Sequence, residues 1–162
     1  IRKFAGKVLA AILTICLSIT GIYDFAVIVK GNGPGRRVAV NMNSDLTCWL
    51  AEHLDKNDLL LTPEYSMNEV TMSGVMLYCG WPYYAWSAGY DTNYRAAQAV
   101  TIYTTSDSET LKSTVKQEKI TYILFEEGSE FEQQVCQEKT IAATYEKVYE
   151  TQDGRIRIYK TN

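Results

Sequence analysis

Metal-binding and basic residues are scarce in this chain, and their scarcity excludes several functions at the outset. Of 162 residues only His53 is a histidine, and Cys16, Cys48, Cys79 and Cys136 show no C-x-x-C spacing. Structural zinc needs paired Cys or His ligands at short spacing, so a zinc site is not expected. No nucleophile and acid near His53 complete a triad, and at a helix end it reads as a surface or dipole-favoured side chain. Basic runs stop at Arg36-Arg37, in a chain of net charge -3. Neutralising a phosphate backbone takes a concentrated Lys/Arg face, so nucleic acid is not an expected partner. The cysteines read as buried free thiols packing like small hydrophobes, and their spacing singles out no disulfide, Cys79 to Cys136 included. There is no internal repeat and no low-complexity segment.

What is present starts with a hydrophobic run. Arg2, Lys3 and Lys7 precede residues 8–29, which are apolar but for Asp24. A membrane-crossing helix needs about 20 such residues. Leu9, Ile12, Leu13, Ile15, Leu17 and Ile19 occupy every side of the helix, which a surface amphipathic helix would not do. A cleaved signal peptide would show a small-x-small site and an initial Met, and neither is found. Residues 1–30 therefore read as a transmembrane helix. Its basic start places that end in the cytoplasm and the remainder on the extracytoplasmic side of the cell membrane. Asp24 falls near the outer interface, either reaching water or contacting neighbouring helices. The chain opens at Ile1 and is expected to be a piece of something longer.

Gly31-Asn32-Gly33-Pro34-Gly35 breaks the helix and begins a linker over residues 31–42. Its superficial G-x-G-x-G follows a membrane span rather than a strand, so it is no dinucleotide fingerprint. Residues 43–162 are long enough for one domain with a core that needs no staples. Asn43 or Ser44 caps a helix whose buried stripe is Leu46, Trp49, Leu50 and His53 or Leu54. Residues 58–62 form a short strand before Pro63, residues 68–73 a brief helix, and residues 75–79 a second, fully buried strand. Asp91 caps a helix to about Tyr103, and a Ser106–Glu109 capping box opens another to about Glu118. Residues 120–125 are the strongest strand. Ser129 caps one more helix, with Phe131, Val135 and Cys136 inward. Residues 144–151 and 155–159 alternate in period two around Asp153-Gly154, a hairpin signal. The fold class is α/β: an N-terminal transmembrane helix, then a small sandwich with a mixed sheet and a C-terminal β-hairpin. The acidic residues between 126 and 138 read as a solvated helix face, with nothing to fix two carboxylates across a cleft for glycoside hydrolysis.

One stretch stands apart. After Gly80, Trp81, Tyr83, Tyr84, Trp86 and Tyr90 crowd into ten residues, followed by Asp91 and Arg95. Such rings either close a core or stack on a flat partner such as a sugar. Pro82 cannot extend a ladder, and open α/β sheets place ligand crevices beyond the carboxyl ends of their strands. At least two of the five rings are thus expected to be accessible around a concavity that Asp91 or Arg95 also faces. The competing arrangement has the rings filling the end of the sheet and Asp91 paired with Arg95 across a helical turn.

The order of features carries a resemblance: the apolar helix; Ser44-Asp45 opening a helix; Leu59-Leu60-Leu61-Thr62; Gly80-Trp81-Pro82 with Trp86-Ser87-Ala88-Gly89-Tyr90-Asp91 and Arg95; and Ile120-Thr121-Tyr122-Ile123-Leu124. It resembles the C-terminal end of bacterial GT-C superfamily membrane glycosyltransferases, which finish with a last membrane helix and a compact extracytoplasmic α/β domain. Only residues 80–95 are motif-like. The Trp-Trp-Asp-Tyr-Gly motif of the oligosaccharyltransferase branch is absent, which argues against peptide glycosylation. The family's catalytic Asp lies in an early outer loop, so no catalytic residue is carried over. The resemblance implies a parent that transfers sugar from a lipid-linked donor, with this part as a wall or lid. Trp81, Tyr83, Tyr84, Trp86 and Tyr90 would touch sugar, and Asp91 and Arg95 would hydrogen-bond hydroxyls or phosphate. The implied partners are the lipid bilayer, a preceding transmembrane bundle, and a lipid-linked sugar or glycan acceptor. No cofactor is implied for this stretch, and a divalent metal in the parent is left open. The alternative from another class is a membrane-anchored extracytoplasmic binding or structural module without enzymatic activity.

Overall fold

The computed structural model describes residues 2–31, 41–63 and 69–162, and the chain divides into two compact units, residues 1–39 and 40–162. The described part of the first is one helix, α1 (Arg2–Gly31), 30 residues long. At about 1.5 Å per residue that length exceeds the roughly 30 Å hydrocarbon core of a bilayer. Leu13 and Ile19 are more than half exposed, and no residue in its apolar window is buried. Its hydroxyls turn inward to the backbone instead: Thr14 donates to the Ala10 carbonyl and Ser18 to that of Thr14. α1 is thus long and apolar enough to cross a membrane. Nearly all of the expected linker lies outside the described residues.

The second unit is a mixed sheet with helices on both faces. In chain order it contains α2 (Asp45–His53), β1 (Leu60–Leu61), α3 (Glu69–Met72), α4 (Pro82–Ser87), α5 (Asn93–Thr104) and α6 (Ser108–Glu118). β2 (Tyr122–Glu126), β3 (Glu130–Phe131), β4 (Gln134–Val135), α7 (Lys139–Thr144), β5 (Glu146–Glu150) and β6 (Ile156–Lys160) complete it. The main sheet runs β1-β2-β6-β5, with β1 parallel to β2 and the other pairs antiparallel. Period-two alternation divides its side chains. Leu61, Ile123, Phe125 and Tyr159 pack with Ala99 and Ile102 of α5, Leu111 and Val115 of α6, and Ile141 of α7. Leu60, Tyr122, Leu124 and Ile158 pack with Leu46 and Leu50 of α2 and Val70 of α3.

Local signals account for most boundaries. Ser44 caps α2 by accepting from the Thr47 N–H, and Leu54 rather than His53 completes the buried stripe. The exposed His53 ring stacks on Trp49 with centroids 4.5 Å apart. At the hairpin, Gly154 takes φ +70° and donates to the Thr151 carbonyl at 2.8 Å, closing the turn between β5 and β6.

Several expectations are corrected. Residues 75–79 are not a buried strand: only Leu77 bridges β1, opposite Leu60. They lie beside a two-residue strand at the sheet's edge, between Gly74 and Gly80, both at positive φ, and Met76 is exposed. Asp107, one residue beyond Ser106, caps α6, accepting from the Thr110 N–H at 2.9 Å. Asp91 does not cap α5; Thr92 holds the cap position, and Asp91 accepts from the Asn93 N–H at 2.9 Å. The helix expected after Ser129 is a small hairpin, β3–β4, turning at Glu132 (φ 46°) and Gln133 (φ 65°). Phe131 and Cys136 are buried as expected, but Val135 is exposed. Packing decides this: the Phe131 ring stacks on Tyr103, and the Gln137 N–H reaches the Tyr103 carbonyl at 2.9 Å. The acidic residues around it are therefore no helix face; half-buried Glu138 receives both Arg157 and the Tyr159 hydroxyl. The expectation of buried thiols holds at Cys136; Cys79 is half-buried, and Cys16 and Cys48 are exposed.

Candidate functional site

The site begins where the chain leaves the sheet. Tyr78, one residue past the Leu77 bridge, donates its N–H to the Leu60 carbonyl at 2.9 Å. Its phenol reaches across to the end of α6, donating to Glu118 Oε2 at 2.7 Å. Its carbonyl accepts from Arg95 Nη1 at 2.8 Å, and the Arg95 guanidinium lies over its ring, 5.1 Å from the centroid. Tyr94 adds a second phenol to Glu118 at 2.7 Å and itself accepts from Gln117 Nε2. Burial pulls the Glu118 carboxyl up, but the two phenols, Gln117 and Arg95 together hold it below its ordinary value. Burial, and then the Glu118 hydrogen bond, push the Tyr78 phenol well up, so it remains a donor. Tyr78 thus fixes the base from which the aromatic segment departs.

Gly80 is buried at φ +54°, and a Cβ there would meet the Leu77 side chain at 3.1 Å. The positive φ is what favours glycine at this turn. Pro82 then occupies the first turn of α4, where its missing N–H costs nothing. Gly89 at φ +86° ends the helix with its N–H on the Trp86 carbonyl, and Tyr90 donates to the Ala85 carbonyl at 3.1 Å. None of the residues of α4 is buried. The five rings range from 38% exposed at Trp81 to 70% at Tyr90, which rules out their filling the end of the sheet. Four of them pack on one another: Trp81 to Tyr84 at 6.0 Å, Tyr83 to Tyr84 at 6.3 Å, Tyr83 to Trp86 at 5.9 Å.

Beside α4 opens a cavity of about 400 Å³, lined by Leu77, Tyr78, Cys79, Ala85, Tyr90, Asp91, Thr92 and Arg95. Of the seven residues singled out from sequence, Tyr90, Asp91 and Arg95 meet here; Trp81, Tyr83, Tyr84 and Trp86 do not line it. All five rings are accessible, but only one borders the concavity. Asp91 and Arg95 share the space without forming an ion pair among the described residues. Sequence reasoning missed Tyr78 and Glu118. The pair is 40 residues apart and joins a sheet edge to a helix end, so no local pattern could signal it. Among the described residues no three His, Cys, Asp or Glu side chains gather as metal ligands.

The arrangement offers a ring face, a carboxylate acceptor and a guanidinium donor around one concavity. No protein-family model matches this sequence and no curated protein matches it, so the chemistry of the site is read from its own geometry.

Proposed function

We propose that this chain is the extracytoplasmic end of a membrane glycosyltransferase-like protein, with α1 as its membrane span. The α/β unit is non-catalytic in this reading. It binds a glycosyl group, from a lipid-linked donor or a glycan acceptor, in the cavity beside α4. The basic residues Arg2, Lys3 and Lys7 at the start of α1 favour a cytoplasmic N-terminal end, and hence an outer position for the domain. One observation carries the reading: Tyr90, Asp91 and Arg95 converge on one cavity of about 400 Å³. That volume falls within the range of small-molecule sites. A sugar has an apolar face that stacks on a phenol ring, and hydroxyls that donate to a carboxylate and accept from a guanidinium. Arg95 also suits a phosphate, which a lipid-linked donor supplies.

The test is sugar binding by the full-length protein in lipid nanodiscs. Tyr90→Ala should weaken a lipid-linked sugar several-fold, because a stacked ring is worth about 0.5–1.5 kcal/mol beyond its area. Asp91→Asn keeps an oxygen for the Asn93 N–H while removing the charge, and should also weaken binding. Both variants should melt with the wild type. Unchanged affinity in both would remove the cavity as the glycosyl site. Sidedness has a separate check: exposed Cys48 should react with a membrane-impermeant thiol reagent on intact cells, and labelling seen only after lysis would reverse the orientation.

A further inference from the structure

Four rings remain that the cavity does not use. We infer that α4 is a membrane-interface anchor, its Trp81, Tyr83, Tyr84 and Trp86 side chains lying in the boundary between lipid headgroups and acyl chains. The inference rests on α1 being a membrane span and is independent of what the cavity binds.

A six-residue helix is too short to persist in water on its own hydrogen bonds, and α4 buries no residue against the domain. Its stability calls for a surrounding that takes up its rings. Residues 80–90 contain no charged side chain. Their large side chains are all Trp and Tyr, the two residues whose apolar body and polar tip suit the headgroup level of a bilayer. The distribution of the rings favours lipid over a protein groove. A groove takes a narrow stripe spaced three and four residues apart. At about 100° per residue, positions 83, 84 and 86 of α4 cover a broader face, roughly 160° of the helix. A fluid interface can take up such a wide, uncharged aromatic face. The same chain supplies that medium: nine residues separate Gly31, the end of α1, from Asn41. So short a tether keeps the bilayer at high effective concentration for α4, and a modest intrinsic affinity suffices. Ala85 of α4 also lines the cavity. Anchoring α4 would therefore bring the cavity to headgroup depth, where a lipid-linked ligand carries its polar group.

The protein has three tryptophans, and Trp49 packs against Tyr122 and Tyr149 within the domain. The full chain is reconstituted in phosphatidylcholine vesicles with or without bromine at the upper acyl positions, a short-range quencher of indole emission. Bromolipid should remove a large share of wild-type emission. It should remove much less from Trp81→Phe/Trp86→Phe, which retains Trp49 and changes only exposed side chains. Equal quenching of both proteins, or none in either while the chain still floats with the vesicles, would overturn the anchor. Shielding of Trp86 by a soluble oligosaccharide and not by lipid would do so too, returning the rings to a glycan-stacking role. A chain that fails to float would instead refute the membrane span beneath this inference.

Discussion

Tyrosine is used in two opposite ways, in the core of the α/β domain and along the segment that follows Gly80. Tyr78, Tyr103 and Tyr159 are buried, and each hydroxyl is tied: to Glu118, to the Leu124 carbonyl at 2.6 Å, and to Glu138. Tyr83, Tyr84 and Tyr90 are exposed, and among the described residues no hydroxyl partner holds them. A buried phenol left unpaired would lose its water without replacement, so the interior accepts tyrosine only with an acceptor supplied. Burial in turn raises these phenols well above their ordinary value and keeps them donors. The exposed rings have no such fastening. Their retention on a solvent-facing helix is a matter of what they meet, not of what they hold together.

Substitutions can break or sharpen this contrast, and the largest effect is expected at Tyr103. Tyr103→Ala empties a fully buried site between α5 and β3 and should cost about 3–5 kcal/mol in denaturant unfolding. Tyr103→Phe keeps the ring and removes the hydroxyl that reaches the Leu124 and Leu61 carbonyls, so a loss of about 1–3 kcal/mol is expected. At Glu118 the effect is smaller and depends on pH. Its folded carboxyl is held below its usual 4.5, so its contribution is complete above that value and drains away as pH falls through the lower folded one. Glu118→Gln should therefore flatten the acid limb of a melting curve series, and an unchanged acid limb would show that the two phenols do not favour the charged form. Smallest of all is Tyr84→Ala, which should stay within about 0.5 kcal/mol of wild type. If that variant melted as early as Tyr103→Ala, the division between fastened and free rings would collapse.

The same contrast explains what could be read from the residues. α1, β2 and the β5–β6 hairpin announce themselves through periodicity and a Asp153-Gly154 turn, signals contained within each element. Gly80 and Pro82 announce that the chain leaves the sheet, and Tyr90, Asp91 and Arg95 stand close together after it, so those three were within reach as a group; the short helix α4 between them was not expected. Residues 75–79 look like an interior strand because Val75, Met76 and Leu77 are apolar, yet a strand's extent depends on its neighbour, and β1 has only two residues to pair. The β3–β4 turn places Glu132 and Gln133 at positive φ, a conformation their side chains do not advertise. There the ring of Tyr103, far along the chain, decides. The Tyr78–Glu118 tie is of the same kind: it exists only once a sheet edge and a helix end have been brought together.

The outer edge of the sheet bears on how the domain meets other copies of itself. β5 has β6 on one side only, so one row of its backbone groups is open to recruitment by another chain. An open flat edge would invite strand-to-strand growth. Here three of its five residues are Glu146, Lys147 and Glu150, with an exposed Lys147–Glu150 ion pair. The register also slips between Lys147 and Tyr149, bending the strand out of the flat geometry that an incoming copy requires. The edge is guarded by charge and by shape against pairing with an incoming copy.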